Sequence, residues 1–523
     1  MADPSVLVLG AGLAGLSTAI HLLEASGGRL DVTLIDRGHV VGGKASSVAH
    51  RDPTLGRTFT VDHGFHVFFD YPNFGARLEA LGASAGLTRR HHDVLIWSAG
   101  AMRRFRALPL PSPLHLLAGG LESRLFGLRD GLAVFRFMFR IFLIDLGRLT
   151  EAERHVLDAV SFDDYARSNG LSDAILRSSF FRFVAQSAFI YPHSMSALSA
   201  IAAIQLVAQS YDAVAVRYME EGTSDALIEP LRRHFLRLGG KLEKFKRATQ
   251  IEVVGGRVDA VLVAENRHYI HSGEVASGVK SNYYSVETPM PGPPAPVRRQ
   301  ADHYVSTLPP RDLIPVLDPA TAALPYFDAI KRLQTQRTIA LELWYDRVVS
   351  PPDADGAIVG LDGPFSTVCD LRRVQRVAEG HGSVVQFVGE DGAYATRPDS
   401  ELLADALATL HAIWPLSRSG VVEKQYFHRG AHDDFFLTTP GSDALRPAAQ
   451  SPFPNLVLAG DFTQTGFRVI CMEGAWISGM RAANAVLARQ GLPQVPIAPM
   501  RGPGGLTGVA RALRRLAADL GFG

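Results

Sequence analysis

The stretch that decides the fold is Val6–Ala25, which reads VLVLGAGLAGLSTAIHLLEA. Its opening apolar residues lead into Gly10, Gly12 and Gly15, and an apolar segment compatible with a helix follows. This order predicts a strand, a tight turn and a helix. In such a unit Gly10 makes the turn, Gly12 lets backbone N–H groups approach a pyrophosphate, and Gly15 lets the helix pack closely on the strand. Because a helix N-terminus attracts anions, the stretch predicts a bound dinucleotide.

A second predicted strand, Asp31–Ile35, supports the same interpretation because it runs directly into Asp36. An acid about twenty residues beyond the last glycine is where the ribose hydroxyls of an unphosphorylated adenosine are bound. Gly42 and Gly43 then precede Lys44, and such a group can bring backbone N–H groups and a cation to the same pyrophosphate. An ordinary structural turn is the alternative at each glycine cluster, and the combination favours the nucleotide.

The length and composition indicate a globular protein of two or more domains, with 523 residues of which 47% are hydrophobic. A formal net charge of +1 predicts neither nucleic acid nor an acidic partner. Cys369 and Cys471 provide no disulfide framework and too few ligands for a zinc cluster, which favours a reducing, cytosolic setting. We expect no secretory signal, because the apolar N-terminus belongs to the nucleotide fold, and no transmembrane helix.

The segment Thr60–Pro72, TVDHGFHVFFDYP, is dense in histidine and aromatic residues. Taken alone, it fits a buried strand with satisfied histidines as well as it fits a functional segment. Its spacing of acids and histidines does not match a metal site, so we predict no metal ligands.

Several motifs together resemble the phytoene and carotene desaturase family of FAD-dependent oxidoreductases, within the flavin amine-oxidase superfamily. They are GAGLAGLSTA (10–19), VVGGKASS (40–47), GFHVFFDYPNF (64–74), and LAGDFTQTGF with CMEGAWISGMRAAN inside Leu456–Asn484, and the first and last are the most specific. Further similarity lies in Phe162–Ile204, Val216–Thr223 and Ala301–Pro309. The resemblance covers most of residues 5–488.

The resemblance implies an α/β fold in which a Rossmann-type FAD-binding domain is interleaved with an α+β substrate domain that carries a helical part. The expected segments are 1–100, 220–310 and 415–490 for the FAD-binding domain, 101–219 and 311–414 for the substrate or membrane-facing domain, and 491–523 for an amphipathic tail. Residues 265–300, rich in proline and glycine near their end, predict a surface loop or an extended hairpin whose role is open.

The resemblance also implies the cofactor and its contacts. FAD is the expected cofactor, and beyond the three glycines and Gly43 the matching positions are Ala14, Asp36, Arg37, Lys44, His66, Val67, Tyr71, Asp461 and Met472. A strand ending near Asp461 would place that carboxylate on the ribityl-phosphate side, and a helix beginning near Met472 would bring its N-terminus to the flavin ring. No catalytic side chain is predicted, because hydride transfer from an unactivated carbon to a flavin asks for little acid–base chemistry.

The expected reaction is desaturation of a long isoprenoid or carotenoid-like substrate by hydride transfer to flavin, with a quinone or oxygen as the electron acceptor. One position departs from plant-type phytoene desaturases, whose substrate-end arginine is matched here by Leu206. The departure leaves open a flavin-dependent polyene isomerase, an aromatase, a hydroxysqualene dehydroxylase-like enzyme, an amine oxidase, and a flavin-binding protein without turnover.

Two amphipathic segments concern the location of the protein relative to a membrane. Residues 128–149, LRDGLAVFRFMFRIFLIDLGRL, place Arg129, Arg136 and Arg140 at helical spacing beside a wide apolar surface. This pattern fits a helix lying in a bilayer interface and equally a buried helix with arginines at its rim. In the tail, leucines and a valine recur every three or four residues from Leu506 to Leu520, which fits a surface anchor, a dimer contact or a packed helix. The resulting expectation is a cytoplasmic protein, peripheral on the inner face of a membrane.

Overall fold

The structure is a computed structural model that describes most of the chain. The described residues are 3–52, 57–62, 64–98, 100–178, 180–181, 190–265, 268–274, 280–287, 294–352, 358–361, 365–376, 382–390, 397–429, 435–500, 502 and 504–519. His63 of the segment Thr60–Pro72 and Leu520 of the tail therefore lie outside the described residues.

The strands are β1 Ser5–Leu9, β2 Asp31–Ile35, β3 Ser47–Asp52, β4 Arg57–Asp62, β5 Asp93–Ser98, β6 Ala101–Arg106, β7 Lys241–Glu243, β8 Lys246–Val254, β9 Arg257–Glu265, β10 His268–Glu274, β11 Lys280–Glu287, β12 Val297–Arg299, β13 His303–Ser306, β14 Thr335–Gln336, β15 Thr338–Tyr345, β16 Val359–Gly360, β17 Phe365–Asp370, β18 Val384–Glu390, β19 Val422–Arg429, β20 Phe435–Phe436 and β21 Leu456–Leu458.

The helices are α1 Leu13–Ser26, α2 Phe74–Ala80, α3 Leu114–Ser123, α4 Leu128–Leu143, α5 Glu151–Asp158, α6 Phe162–Ser168, α7 Asp173–Leu176, α8 Ala197–Ala208, α9 Glu229–Arg237, α10 Pro310–Leu313, α11 Pro319–Ala322, α12 Pro325–Lys331, α13 Asp399–Ile413, α14 Ser442–Leu445, α15 Met472–Arg489 and α16 Gly505–Asp519. A single π-helical turn, Ser224–Ile228, leads directly into α9.

A parallel sheet in the order β21-β13-β1-β2-β7 forms the first layer. Its central strand β1 is nearly all apolar and buried, as expected for a strand covered on both faces. The helices α1 and α15 pack against each other beside this sheet, and they approach closely because Gly479 of α15 has no side chain: a Cβ there would lie 2.4 Å from the Ala14 carbonyl oxygen. The hydroxyl of Ser17 donates to the Trp476 carbonyl at 2.7 Å, which fixes the crossing point. The α/β fold class predicted from the sequence is confirmed.

A mixed sheet in the order β10-β11-β19-β15-β18-β17-β16-β5-β6 forms the second layer. One face of β15 packs with α13 in a buried apolar cluster that includes Leu341, Leu343 and Leu402. The strands β10 and β11 form an antiparallel hairpin at the sheet edge, so much of the 265–300 segment is a hairpin, while 266–267, 275–279 and 288–293 lie outside the described residues.

The helices α3 to α8 form a third, apolar layer. The helix α4 ends at Leu143, earlier than the amphipathic pattern to residue 149 suggests, because its last carbonyls have polar partners. Gln205 Nε2 donates to the Ile141 and Ile144 carbonyls at 2.7 and 2.9 Å. The guanidinium of Arg511 in α16 donates to the Phe142 and Ile144 carbonyls.

The helix α4 combines a buried face with an exposed one. Phe137, Ile141 and Phe142 are at most 1% exposed and belong to the core, whereas Leu128 is 85% and Leu132 49% exposed. The outward face of the helix is therefore mixed. It carries exposed leucines near its start and the exposed arginines Arg129, Arg136 and Arg140. No helix in the described part of the chain is long and apolar enough to cross a membrane.

Candidate cofactor and substrate cavity

A single continuous cavity of about 930 Å³ links the parallel sheet with the helical layer. Its polar end is lined by the glycine loop after β1, by Asp36 and Lys44, and by the N-terminus of α15. Its apolar end is lined by α4 and α8 and by the facing strand β5.

The glycine loop forms a narrow cradle at the polar end. Gly10 has a φ of +103°, which few other residues adopt. A Cβ at Gly15 would lie only 2.0 Å from the Gly10 carbonyl oxygen, so α1 can begin against the strand end only because residue 15 is glycine. A Cβ at Gly43 would lie 3.2 Å from the Gly12 Cα, which shows that the second glycine cluster packs backbone to backbone on the first.

The start of α1 fits an anionic ligand. Gly12 is its N-cap residue, no side chain caps the helix, and its first turn carries no acid. The unpaired N–H groups and the helix dipole therefore face the cavity that Gly12 lines. Cys471 likewise leaves α15 without a side-chain cap beside the cavity.

Asp36 lies where β2 meets the cavity. Its two carboxylate oxygens accept hydrogen bonds from the Ala11 and Gly38 N–H groups, each at 2.7 Å. Burial is the main influence on its carboxyl and raises the pKa, while the two N–H groups oppose that shift. The remaining lone pairs of a carboxylate at this position suit the hydroxyls of a ribose.

Two cations flank the same end. Lys44 Nζ lies 3.4 Å from Asp461 Oδ2 and 4.6 Å from the Phe435 ring centroid. Arg37 pairs with Asp312 at 3.1 Å. The structure thus brings Arg37, Lys44 and Asp461 to one cavity, although β21 already ends at Leu458, before Asp461.

The remaining positions implied by the resemblance also line the cavity. Ala14 and Tyr71 are buried, and Val67 and Met472 are half-buried, with Met472 as the first residue of α15. The Tyr71 ring meets the Phe68 ring edge-on, with centroids 4.8 Å apart, and its burial raises the phenol pKa well above the usual value. Of the whole predicted set only Gly15 does not line the cavity, because it packs inside against the strand.

His66 belongs to a polar chain that sequence reasoning did not identify. Its Nδ1 lies 3.2 Å from the Thr223 hydroxyl oxygen. Thr223 in turn donates its hydroxyl to Asp62 Oδ2 and its N–H to Asp62 Oδ1, both at 3.1 Å. Thr223 and Asp62 are both buried.

Two further carboxyls also escaped the sequence analysis. Glu473, fully buried at the start of α15, accepts hydrogen bonds from the Asn73 and Phe74 N–H groups at 2.9 and 2.8 Å and so ties α15 to α2. Glu342 on β15 accepts from Trp344 at 2.6 Å and from Gln386 at 2.9 Å, and burial raises its pKa to about 8. The position of Glu473 directly after Met472 could have indicated its role from the sequence. No sequence feature around β15 indicates a role for Glu342.

The apolar end has a neutral lining and an opening. Leu206 of α8 is 3% exposed and lines the cavity. Phe135, Phe139 and Phe142 of α4 line it as well. The exposed residues Leu128 and Leu132 are also lining residues, so the cavity reaches the surface at the start of α4.

Comparison with known proteins shows the family. The model of the flavin containing amine oxidoreductases matches residues 13–487. The chain belongs to this family. The enzyme is an FAD-dependent oxidoreductase, and the resemblance inferred from its motifs is confirmed.

Several proteins are similar over nearly the whole enzyme. A 15-cis-phytoene desaturase of Synechococcus elongatus is 24% identical, with 93% of this chain and 96% of that protein covered. A carotenoid phi-ring synthase of Streptomyces griseus is 28% identical, with 94% and 89% covered. The crystal structure of a putative protoporphyrinogen oxidase from Exiguobacterium sp. 255-15 has a TM-score of 0.64 at 16% identity, with 94% and 100% covered, which shows a shared fold.

The residues at the polar end fit FAD. The uncapped α1 N-terminus and Lys44 suit the diphosphate, and Asp36 suits the adenosine ribose. Bound there, FAD supplies the capacity to accept a hydride. Among the described residues no cluster of histidine, cysteine and acidic side chains could hold a metal ion.

Proposed function

We propose that the enzyme desaturates a long isoprenoid or carotenoid-like substrate. The observation that carries this proposal is the continuity of the cavity, which joins a nucleotide cradle to an apolar chamber lined by phenylalanines and leucines. Two of the relatives are named for carotenoid chemistry, which supports the same substrate class.

The chain's own contribution is to hold an apolar substrate and keep water away. Phe135, Phe139 and Leu206 offer a chain of hydrocarbon contacts and no charge. A long polyene gains free energy by leaving water for such a chamber, whereas a protonated amine would lose its hydration without a carboxylate to pair with at Leu206. The neutral lining therefore favours the hydrocarbon over an amine substrate.

We further propose that the substrate enters from a membrane surface to which the enzyme binds peripherally. The opening at Leu128 and Leu132 is apolar and exposed, and Arg129, Arg136 and Arg140 are exposed on the same helix. Such a combination suits a bilayer interface with anionic headgroups, and a polyene could pass from lipid to cavity without crossing water. The inner face of a cytoplasmic membrane is the expected location.

The test is anaerobic incubation of the FAD-loaded enzyme with an acyclic polyene in liposomes. We expect flavin absorbance to bleach while the polyene spectrum shifts to longer wavelength, because electrons leave the substrate and its conjugation grows. Leu206→Asp should block turnover and retain FAD, since it places a charge in the apolar chamber. Leu416→Asp is the matched control, since Leu416 is 57% exposed and does not line the cavity.

Other outcomes would replace the proposal. Rearranged polyene with the flavin still oxidised would indicate an isomerase. Bleaching by a primary amine and not by any polyene would indicate an amine oxidase.

A further inference from the structure

His66 presents one edge of its ring to the interior and another to the cavity. Its Nδ1 meets Thr223, and Thr223 and Asp62 are both buried and neither lines the cavity. His66 itself does line the cavity. Because Nδ1 meets the interior, the part of the ring left for the cavity includes Nε2, and no described residue forms a hydrogen bond with Nε2.

The hydrogen bonds of Thr223 determine which ring nitrogen carries the proton. A threonine hydroxyl has one proton, and this proton is donated to Asp62 Oδ2 at 3.1 Å. The Thr223 oxygen must then act as acceptor toward His66, so Nδ1 bears the hydrogen in the neutral ring. Nε2 consequently holds a free lone pair, which is the form that accepts a proton.

The same chain places a carboxylate behind the ring. The Asp62 carboxylate lies one hydroxyl away from Nδ1 of His66. A buried carboxylate held to a histidine through a hydroxyl fixes the orientation of the ring. Gln375 Nε2 also lies 3.4 Å from Asp62 Oδ2, and the buried Glu342 is a titratable group that interacts electrostatically with Asp62.

We propose that His66 is the base that receives the proton released during desaturation, and that Thr223 and Asp62 are its positioning residues. This inference rests on the proposed function. With FAD bound, one carbon of the substrate would give up a hydride to the flavin, which would take up its two electrons. His66 Nε2 would accept the proton of the neighbouring carbon and become imidazolium, and the electron pair of that C–H bond would form the new double bond.

His39 and His92 also line the cavity, and His92 is the competing candidate because its neighbours Val94 and Ile96 line the apolar end. Its ring stacks on Tyr211, with centroids 3.9 Å apart, and its Nε2 is buried without a hydrogen-bond partner among the described residues. Among the described residues no hydroxyl–carboxylate chain fixes its tautomer. Burial is the main influence on its ring and lowers the pKa, which weakens it as a proton acceptor.

The first readout is independent of turnover. Histidine ¹⁵N NMR of the FAD-loaded enzyme, assigned by subtraction of the His66→Gln spectrum, should show His66 protonated at Nδ1. Thr223→Val should disturb this tautomer, and Thr223→Ser, which keeps the hydroxyl, should restore it. A His66 protonated at Nε2 in the unsubstituted enzyme would overturn the proposal whether or not a polyene is the substrate.

The second readout is the rate of anaerobic flavin reduction by the polyene as a function of pH. His66→Gln should lower this rate by about 10²- to 10⁴-fold and remove the acid limb of the pH profile. Thr223→Val should have an intermediate effect that Thr223→Ser does not show, with FAD content unchanged in each. An acid limb that survives in His66→Gln and disappears in His92→Gln would assign the base to His92 instead. If no polyene reduces the flavin of the unsubstituted enzyme, the proposed function fails and the NMR result alone decides the tautomer.

Discussion

Lys44 and Asp461 form an ion pair beside the cavity, with Nζ 3.4 Å from Oδ2, although they belong to opposite ends of the chain. The pair joins the second glycine cluster to the loop that precedes α15. Both residues line the polar end of the cavity, where FAD fits.

Loss of the Lys44 charge should weaken FAD binding. We expect Lys44→Gln and Asp461→Asn each to reduce the affinity measured by flavin fluorescence titration, and the two effects should not be additive because the residues contact each other. Lys241→Gln is the matched control, because Lys241 pairs with Asp31 at 2.7 Å at a site that does not line the cavity. Additive effects would mean that the two side chains act on FAD independently.

Substitutions at two glycines of the opening motif should affect cofactor binding and folding separately. A Cβ at Gly12 would have no neighbour nearer than 3.9 Å, whereas a Cβ at Gly15 would meet the Gly10 carbonyl oxygen at 2.0 Å. Gly12→Val should therefore retain the thermal unfolding temperature of the apoprotein and lose FAD, because the side chain enters the space of the pyrophosphate. Gly15→Ala should lower the unfolding temperature even without FAD. Full FAD affinity in Gly12→Val would place the pyrophosphate elsewhere.

Asp36→Ala should reduce the free energy of FAD binding by more than it reduces the free energy of unfolding. A charge-assisted contact to ribose hydroxyls contributes about 1.5–3 kcal/mol, which corresponds to roughly a 10- to 150-fold change in affinity. Asp36 also accepts hydrogen bonds from the Ala11 and Gly38 N–H groups, so the substitution should also lower the stability of the apoprotein somewhat. Titration of FAD into this variant is the measurement, and unchanged affinity would show that the ribose is held by other groups.

The nucleotide half of the site was predictable because its signals are local. The periodicity around Gly10, Gly12 and Gly15, and the strand that leads into Asp36, lie within a few dozen residues of each other. The hydrogen-bond chain from His66 through Thr223 to Asp62 was not predictable. Thr223 lies 157 residues beyond His66 in the sequence, and only the fold brings it to the ring. The amphipathic pattern of the tail likewise predicted a helix but could not tell which side would dock on the protein.

Stability should depend on pH through Glu342. Burial, its main influence, raises the carboxyl pKa from 4.5 to about 8, so the folded state holds a proton that the unfolded chain releases. The contribution to stability is therefore fully present below about pH 4.5 and is lost as the pH rises toward 8. Glu342→Gln should raise the unfolding temperature at pH 8 by more than it does at pH 5. An equal shift at both pH values would mean that Glu342 is ionised in the folded protein.

If the proposed membrane binding is correct, the helix α16 should carry much of it, because it docks on the protein through its polar side. Thr507 is buried, Arg511 donates to carbonyls at the end of α4, and Arg515 pairs with Asp145 at 2.9 Å. The apolar stripe of the helix faces outward, and its residues are 54 to 62% exposed: Leu506, Val509, Leu513 and Leu516.

Changing these four exposed residues to serine should reduce co-sedimentation with anionic liposomes while FAD content and unfolding temperature stay the same, because no core contact is removed. This set is a sharper test than Phe135, Phe139 and Phe142, since Phe142 is 1% exposed and its loss would damage the core. Serine at Val254 and Leu416, which are 66% and 57% exposed elsewhere on the surface, is the matched control. Undiminished liposome binding in the α16 variant would leave the opening at Leu128 and Leu132 as the membrane contact, and conversion of a dimer to a monomer in the same variant would identify the stripe as a contact between two copies of the chain.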